Sequence, residues 1–303
     1  MATGTILVTG GSGQLASALA GARAVVRVGR PEFDFDRPDT LVDVVRKVAP
    51  TVVVNAAAYT AVDRAESDAE AAGRANRDGP AALAEYCALA KIPLLHVSTD
   101  YVFDGLKGSP YVETDPTNPT GVYGATKLAG EQAALAVCPR TIVLRTSWVY
   151  AATGKNFVLT MLRLGAERER LGVVADQIGC PTAAPDLAAA ILGIVDQISA
   201  GGWRDGFRGI FHAAGTGSTS WHGLATAVFE AAAKHGARKP VVDAITTAQF
   251  PTAAQRPPDS RLDCNKLACV FGLRLPPWRD SLDRVVDEVF RAQHELRASS
   301  SVS

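Results

Sequence analysis

The stretch Thr9-Gly10-Gly11-Ser12-Gly13-Gln14-Leu15-Ala16 constrains this chain more than any other. It follows an apolar, β-branched run, Thr5–Thr9, and opens an Ala/Leu-rich run, Gln14–Ala20. A tight strand-to-helix turn needs glycine, and backbone approaches a pyrophosphate closely only where side chains are missing. The helix that follows would add free N–H groups and partial positive charge. The spacing Gly10-x-x-Gly13-x-x-Ala16, this close to the start, predicts the leading turn of a dinucleotide-binding unit, with Gly10, Gly13, Gln14 and Leu15 at the cofactor.

The alternation continues down the first half. Strands are expected at Ala24–Val28, Thr51–Asn55, Leu94–Ser98 and Thr141–Arg145, and helices at Asp39–Val48, Ala69–Ala90 and Gly121–Val137. Nearly all-apolar strands separated by helices imply a parallel sheet covered on both faces. Beyond Tyr150 the rhythm changes: helices are expected at Asn156–Gly165, Pro185–Ile198, Trp221–His235 and Pro277–Gln293, with a strand at Gly209–His212. The expected fold is α/β, a Rossmann-like doubly wound parallel sheet with a smaller, partly interleaved C-terminal substrate domain. Residues 1–150, continued by about 173–212, would form the dinucleotide-binding domain, and residues 151–172 and about 213–303 the substrate-binding domain.

Charge and cysteines narrow the function. Lys+Arg and Asp+Glu both total 31, with no block of one sign, which argues against nucleic acid or an anionic membrane as the main partner. The apolar stretch Leu187–Val195 is too short to span a bilayer, and Met1-Ala2-Thr3-Gly4 lacks the features of a signal peptide. The five scattered cysteines form no framework and no metal-ligand spacing, so reduced thiols in a cytoplasm and no bound metal are expected. His212 and His222 flank a Gly/Thr/Ser-rich loop and read as structural or surface residues.

Cofactor preference should be set after the second strand, which ends Val28-Gly29-Arg30-Pro31. No carboxylate stands there to grip a ribose 2′-hydroxyl. Arg30 either pairs with a 2′-phosphate or is a solvated arginine, and the first reading favours NADPH, with NADH also possible. Asp34 and Phe35 would lie near the adenine. The small residues after the third strand, Ala57 and Ala58 with Tyr59, would let the cofactor ribose approach the sheet edge.

Tyr123 and Lys127 stand four apart on an expected helix, so their side chains share a face. A nearby cation favours phenolate. Bringing a phenol from near ~10 to about 7 takes roughly 4 kcal/mol. The spacing alone also fits a surface stacking pair. Thr99, at the end of the fourth strand, could place a substrate carbonyl, although a lone threonine there more often caps a turn. The long loop Tyr101–Asn118 that follows is of the kind that serves ligands.

Together, Gly10–Leu15, Asn55–Glu66, Ser98–Gly105 and Tyr123–Glu131 resemble the extended short-chain dehydrogenase/reductase superfamily. Arg145–Tyr150, Asp176–Thr182 and Arg256–Asp263 narrow the resemblance to its dTDP-4-dehydrorhamnose reductase family, nearly end to end. That resemblance implies NAD(P)H-dependent reduction of the 4-keto group of dTDP-4-dehydro-L-rhamnose to dTDP-L-rhamnose. It implies Tyr123 as proton donor and Lys127 as the residue that lowers its pKa and binds the nicotinamide ribose. Thr99 would assist at the sugar C4 oxygen. Asp100, Trp148, Asn156 and Phe157 would line the sugar-nucleotide pocket, and Arg256 would meet the diphosphate. Some relatives are magnesium-bridged dimers held by glutamates. This chain has Ala16-Ser17-Ala18-Leu19 and Ala183-Ala184-Pro185-Asp186 at the corresponding places, so a monomer or weak homodimer without that bridge is expected. The alternatives are a 4-ketoreductase for another dTDP-deoxysugar, an epimerase or dehydratase of the same superfamily, and a non-catalytic nucleotide-binding regulatory subunit. Thr99-Asp100 in place of an Asp-Glu pair counts against a dehydratase, and intact Thr99, Tyr123 and Lys127 count against the regulatory subunit.

Overall fold

The computed structural model describes residues 4–22 and 24–300. In chain order the first half runs β1 (Ile6–Thr9), α1 (Gln14–Leu19), β2 (Val25–Val28), α2 (Pro38–Val48), β3 (Val52–Asn55), α3 (Val62–Ala65), α4 (Ala69–Gly73), α5 (Gly79–Leu89), β4 (Leu94–Thr99), α6 (Val122–Val137) and β5 (Thr141–Thr146). The second half runs β6 (Val149–Tyr150), α7 (Phe157–Glu167), β7 (Arg170–Val174), β8 (Ile178–Gly179), β9 (Thr182–Ala183), α8 (Ala184–Gly201), β10 (Gly209–His212), β11 (Thr219–Ser220), α9 (Trp221–Ala233), β12 (Val241–Ile245), α10 (Asn265–Phe271) and α11 (Trp278–Ser300).

Six strands form one parallel sheet in the order β10-β5-β4-β3-β1-β2. Both faces of the inner strands are buried, which explains their unbroken apolar runs, while edge strand β2 is partly exposed. On β1, Ile6 and Val8 pack with Leu19 of α1 and with Ile191 and Ile194 of α8, while Leu7 packs on the other face with Leu83 of α5 and Val53. The strand order reverses direction between β1 and β3. In open α/β sheets the crevice at the carboxyl ends of such a pair is where ligands bind.

The second half contributes β10 and α8 to this sheet and its covering layer, and builds a further core of its own. Val158 and Met161 of α7, Leu224 and Phe229 of α9, Leu282 and Val286 of α11, and Leu171 and Val173 of β7 pack together. β7 pairs in parallel with β12 over Arg170–Val174 and Val241–Ile245. That pair was not anticipated from the sequence, because its residues alternate between exposed and buried or stay half-covered instead of forming an apolar run.

One expected helix is interrupted. Ala69–Ala90 is α4 and α5 joined by a π-helical turn, Arg74–Asp78. The extra residue turns Asn76 inward, where its side chain accepts from the Tyr59 N–H at 2.8 Å and donates to Thr126 Oγ1 at 3.2 Å. The loop after β4 is pinned. Asp104 accepts from the Tyr111 hydroxyl at 2.8 Å, Tyr111 stacks on Phe103 at 4.1 Å between centroids, and Tyr111 bridges to Leu262. No helix among the described residues is long and apolar enough to cross a membrane.

Candidate active site

The glycine turn lies at the β1–β3 crevice. Gly10 has φ +108°, and a Cβ there would stand 3.0 Å from the Ala56 carbonyl oxygen. At Gly29, just past β2, a Cβ would fall 2.5 Å from the Gly11 Cα. Backbone alone therefore lines this rim, as a bound pyrophosphate requires. Beneath it, Thr9 Oγ1 donates to Asn55 Oδ1 at 2.6 Å and accepts from the Ala57 N–H at 3.2 Å, which fixes the turn after β3. Gln14 accepts from Asn156 Nδ2 at 2.8 Å, so the second half of the chain reaches the glycine turn directly.

The other expected cofactor residues are distributed differently. Leu15 and Phe35 are buried in the two cores flanking the sheet, so neither side chain is available to a ligand. Phe35 lies against Gly79, where a Cβ would be 2.1 Å from its ring. Arg30 is exposed and holds Asp34 at 2.9 Å and Asp36 at 2.8 Å. The Tyr59 hydroxyl donates to Asp68 at 3.1 Å and Ala58 lies half-buried in the same loop.

Thr99, Tyr123 and Lys127 come together where β4 ends against α6. Thr99 caps the short 3-10 turn Asp100–Val102, accepting from the Tyr101 N–H at 3.2 Å and donating to Asp100 Oδ1 at 3.1 Å. Tyr123 is in the first turn of α6, whose leading amide, Val122 N–H, donates to Glu66 Oε1 of the loop after α3 at 2.9 Å. Its ring meets Tyr101 edge-on at 5.5 Å. α6 is seated by two glycines: a Cβ at Gly124 would be 2.1 Å from the Tyr101 carbonyl oxygen, and one at Gly130 would be 2.0 Å from that of Asn76. Below Lys127 the helix is anchored by a buried pair, Glu131 with Arg145 of β5, at 2.7 Å. The Arg145 guanidinium also lies 5.0 Å over the Phe103 ring.

Burial dominates the electrostatics of the group. Lys127 is buried and donates to the Val97 carbonyl oxygen at 2.7 Å. Burial pushes its ammonium down to about 8, with Glu131 opposing that shift. Tyr123 is pushed up to about 12 by burial, drawn back by the Thr99 hydroxyl and raised further by the Asp100 carboxylate. Burial is the largest influence on the phenol, and the Lys127 hydrogen bond is turned to the strand. Burial likewise pushes Asp100 up to about 7, against the influence of the Ser260 hydroxyl and the hydrogen bond from Thr99.

Sequence reasoning missed a buried polar row beside this group. Asn55 Nδ2 lies 3.0 Å from His96 Nδ1. Since Asn55 Oδ1 is taken by Thr9, the amide is the donor, and the ring proton of neutral His96 sits on Nε2. Burial, then Lys127, keeps His96 neutral. Ser98 Oγ and Thr146 Oγ1, on neighbouring strand ends, are buried without a partner among the described residues. Polar side chains inside otherwise apolar strands were the available signal.

The remaining substrate candidates are at the same end of the sheet or frame it. Trp148 follows β5, whose Thr146 is in register with Thr99. Asn156 caps α7, accepting from the Leu159 N–H at 2.9 Å, and Phe157 begins that helix. Arg256 is committed to Asp63 through two hydrogen bonds of 3.0 and 2.7 Å. His212 is buried, its Nδ1 3.0 Å from the Tyr111 carbonyl, and His222 Nε2 lies 3.1 Å from the Val242 carbonyl, so both are structural.

A parallel sheet with a glycine turn at its switch point and a Thr, Tyr and Lys at the next strand end defines an NAD(P)-dependent reductase of the short-chain type. Residues 4–291 match the family described as RmlD substrate binding domain. The dTDP-4-dehydrorhamnose reductase of Sinorhizobium fredii is 47% identical over 93% of this chain and 96% of its own length. That of Escherichia coli K12 is 42% identical over 85% and 86%. The crystal structure of the Bacillus anthracis dTDP-4-dehydrorhamnose reductase in complex with NADP superposes with a TM-score of 0.87 at 34% identity, covering 94% of this chain and 99% of that one. The chain belongs to the dTDP-4-dehydrorhamnose reductase family.

Proposed function

We propose that this protein reduces the 4-keto group of dTDP-4-dehydro-L-rhamnose to dTDP-L-rhamnose, using NADPH by preference and NADH as a second choice. The observation that carries the reading is the meeting of Thr99, Tyr123 and Lys127 at one strand end of a chain in this family. The cofactor residues are Gly10, Gly13, Gln14, Arg30 and the Ala57–Tyr59 loop. Bound NADPH would supply the hydride.

The protein's own residues do the rest. Thr99 holds the carbonyl oxygen, and Tyr123 protonates it as negative charge develops there. A phenol near 12 remains a stronger acid than the alcohol being formed, so the transfer runs downhill. It is also fully protonated at neutral pH and ready to donate. Lys127, as the cation, turns toward the nicotinamide ribose and stabilises the phenolate that is left. Asp100, Trp148 and Phe157 line the sugar, and Arg256 meets the diphosphate by exchanging Asp63 for phosphate oxygens. Water exclusion at this buried strand end strengthens each of these interactions.

We assign cofactor binding to residues 1–150 with about 173–212, and sugar-nucleotide binding to 151–172 with about 213–303. The chain works as a monomer or weak homodimer: Ala16 and Ala184 are buried and, as alanines, offer no metal ligand. Its place is the cytoplasm, in keeping with five unpaired cysteines.

The test is loss of reduced-nicotinamide absorbance with NADPH and NADH in parallel. The substrate is dTDP-4-keto-6-deoxy-L-mannose formed in place by the upstream enzymes. Sugar-dependent oxidation is expected, faster with NADPH. No oxidation by protein that binds the cofactor would overturn the assignment.

A further inference from the structure

Trp148 has φ +47°, the left-handed region, which a bulky side chain rarely adopts. Such a conformation persists only where the surroundings impose it. Three contacts do so here. Gly179 makes room, since a Cβ on it would stand 2.4 Å from the Trp148 indole. The Trp148 carbonyl accepts from the Thr182 N–H at 3.2 Å. Trp221 then stacks on the Trp148 ring, with centroids 3.5 Å apart and planes 6° from parallel.

Trp221 is itself tightly placed. It is the first residue of α9, whose cap Ser220 accepts from the Gly223 N–H at 3.0 Å. β11, just before it, pairs antiparallel with β8, so Gly179 and Trp221 are fixed relative to each other across Trp148. Its indole N–H donates to Gln177 Oε1 at 3.2 Å, and Gln177 Nε2 donates to Thr247 Oγ1 at 3.0 Å, which sets the rotation of the ring. Phe157 packs on it at 4.7 Å, next to Asn156, which reaches Gln14 of the glycine turn.

We propose that Trp221 is a positioning residue for the reduction: its ring, held by Gln177, fixes the plane of Trp148 and so the wall against which the keto-sugar is placed beside Thr99 and Tyr123. The proposal rests on the function given above. A stack serving only the core would alter stability and leave the handling of sugar untouched. A positioning stack acts on the sugar and not on the cofactor, because misplacing a reacting group costs rate without any contact to it being lost.

The experiment compares wild type, Trp221→Ala, Trp221→Phe and Gln177→Ala, with dTDP-4-keto-6-deoxy-L-mannose and NADPH as ligands. Wild type should show the circular-dichroism exciton couplet of two stacked indoles, absent in both Trp221 variants. Trp221→Ala should lose about tenfold or more in kcat/KM for the sugar, on the scale of one aromatic pair. Its affinity for NADPH should stay at the wild-type value, and Trp221→Phe should recover most of the loss. Unchanged sugar kinetics in Trp221→Ala, equal loss of sugar and cofactor binding, or a wild type without the couplet would overturn the proposal. Should Trp221→Ala not fold, Gln177→Ala decides: a weaker couplet with poorer sugar kcat/KM and unchanged NADPH affinity upholds it, and wild-type behaviour in both sinks it. Wild-type turnover in the same assay reports on the activity itself, so a failure of that reading appears in the wild type and a failure of this one only in the variants.

Discussion

Lys127 donates its ammonium to the carbonyl oxygen of Val97, 2.7 Å away, while the phenol of Tyr123, one turn earlier on the same helix, is influenced by the Thr99 hydroxyl. The two proposed catalytic side chains share a helix face, yet each is turned to a different strand group. Their roles therefore separate into acid and cation, and each can be tested alone.

Tyr123→Phe should keep NADPH binding and lose at least about a hundredfold in turnover, the usual contribution of a general acid. Cofactor titration alongside steady-state rates checks this. Near-normal turnover would remove Tyr123 from the role of proton donor.

Lys127 gives the pH dependence. Its ammonium is held down at about 8, against an ordinary 10.5, so it is charged below that pH and neutral above it. If the cation is the working form, kcat/KM stays level below about 8 and falls as pH rises through it, since kcat/KM reports the free enzyme. Tyr123, pushed up to about 12, stays protonated across this range and adds no second limb. The same depression means that charged Lys127 opposes folding, so its effect on stability improves as pH rises from about 8 to 10.5. A pH–rate profile that rises through 8 would contradict the assignment.

Glu131→Gln should destabilise the fold by about 3–5 kcal/mol, because it leaves the buried Arg145 charge uncompensated. The midpoint of urea unfolding, at unchanged slope, measures it. Glu131 also supports the charge on Lys127, so the alkaline limb should move to lower pH in this variant.

Arg30→Ala should weaken NADPH by roughly tenfold and NADH far less, since a guanidinium lost from a 2′-phosphate removes on the order of one such increment. Parallel KM measurements decide it. Equal effects on both cofactors would leave Arg30 as the partner of Asp34 and Asp36 alone.

Much of this was readable from residue patterns. The strands β1, β3, β4 and β5 stood out because both of their faces are covered, and the glycine turn was readable because only missing side chains allow that approach to Ala56. The i, i+4 spacing placed Tyr123 and Lys127 one turn apart on a helix, and both lie on α6. It could not reveal which way the lysine hydrogen bond turns, because that depends on Val97, thirty residues earlier in the chain. The π turn at Arg74–Asp78 escaped for a similar reason: one extra residue scarcely disturbs an Ala-rich periodicity. Two-residue strands such as β8 and β11 carry no periodic signal, and the Trp148–Trp221 stack depends on their pairing.

Gly124 and Gly130 bring α6 into direct contact with the main chain of Tyr101 and Asn76. A methyl group at either place would lift the helix and carry Tyr123 away from Thr99. In a library selected for turnover of other keto-sugars, these two positions should come back unaltered, and the accepted changes should gather in the loops beyond β5 and in the 246–258 segment. The helix acts as the fixed bench of the enzyme, and new specificities would be built by reshaping what stands opposite it.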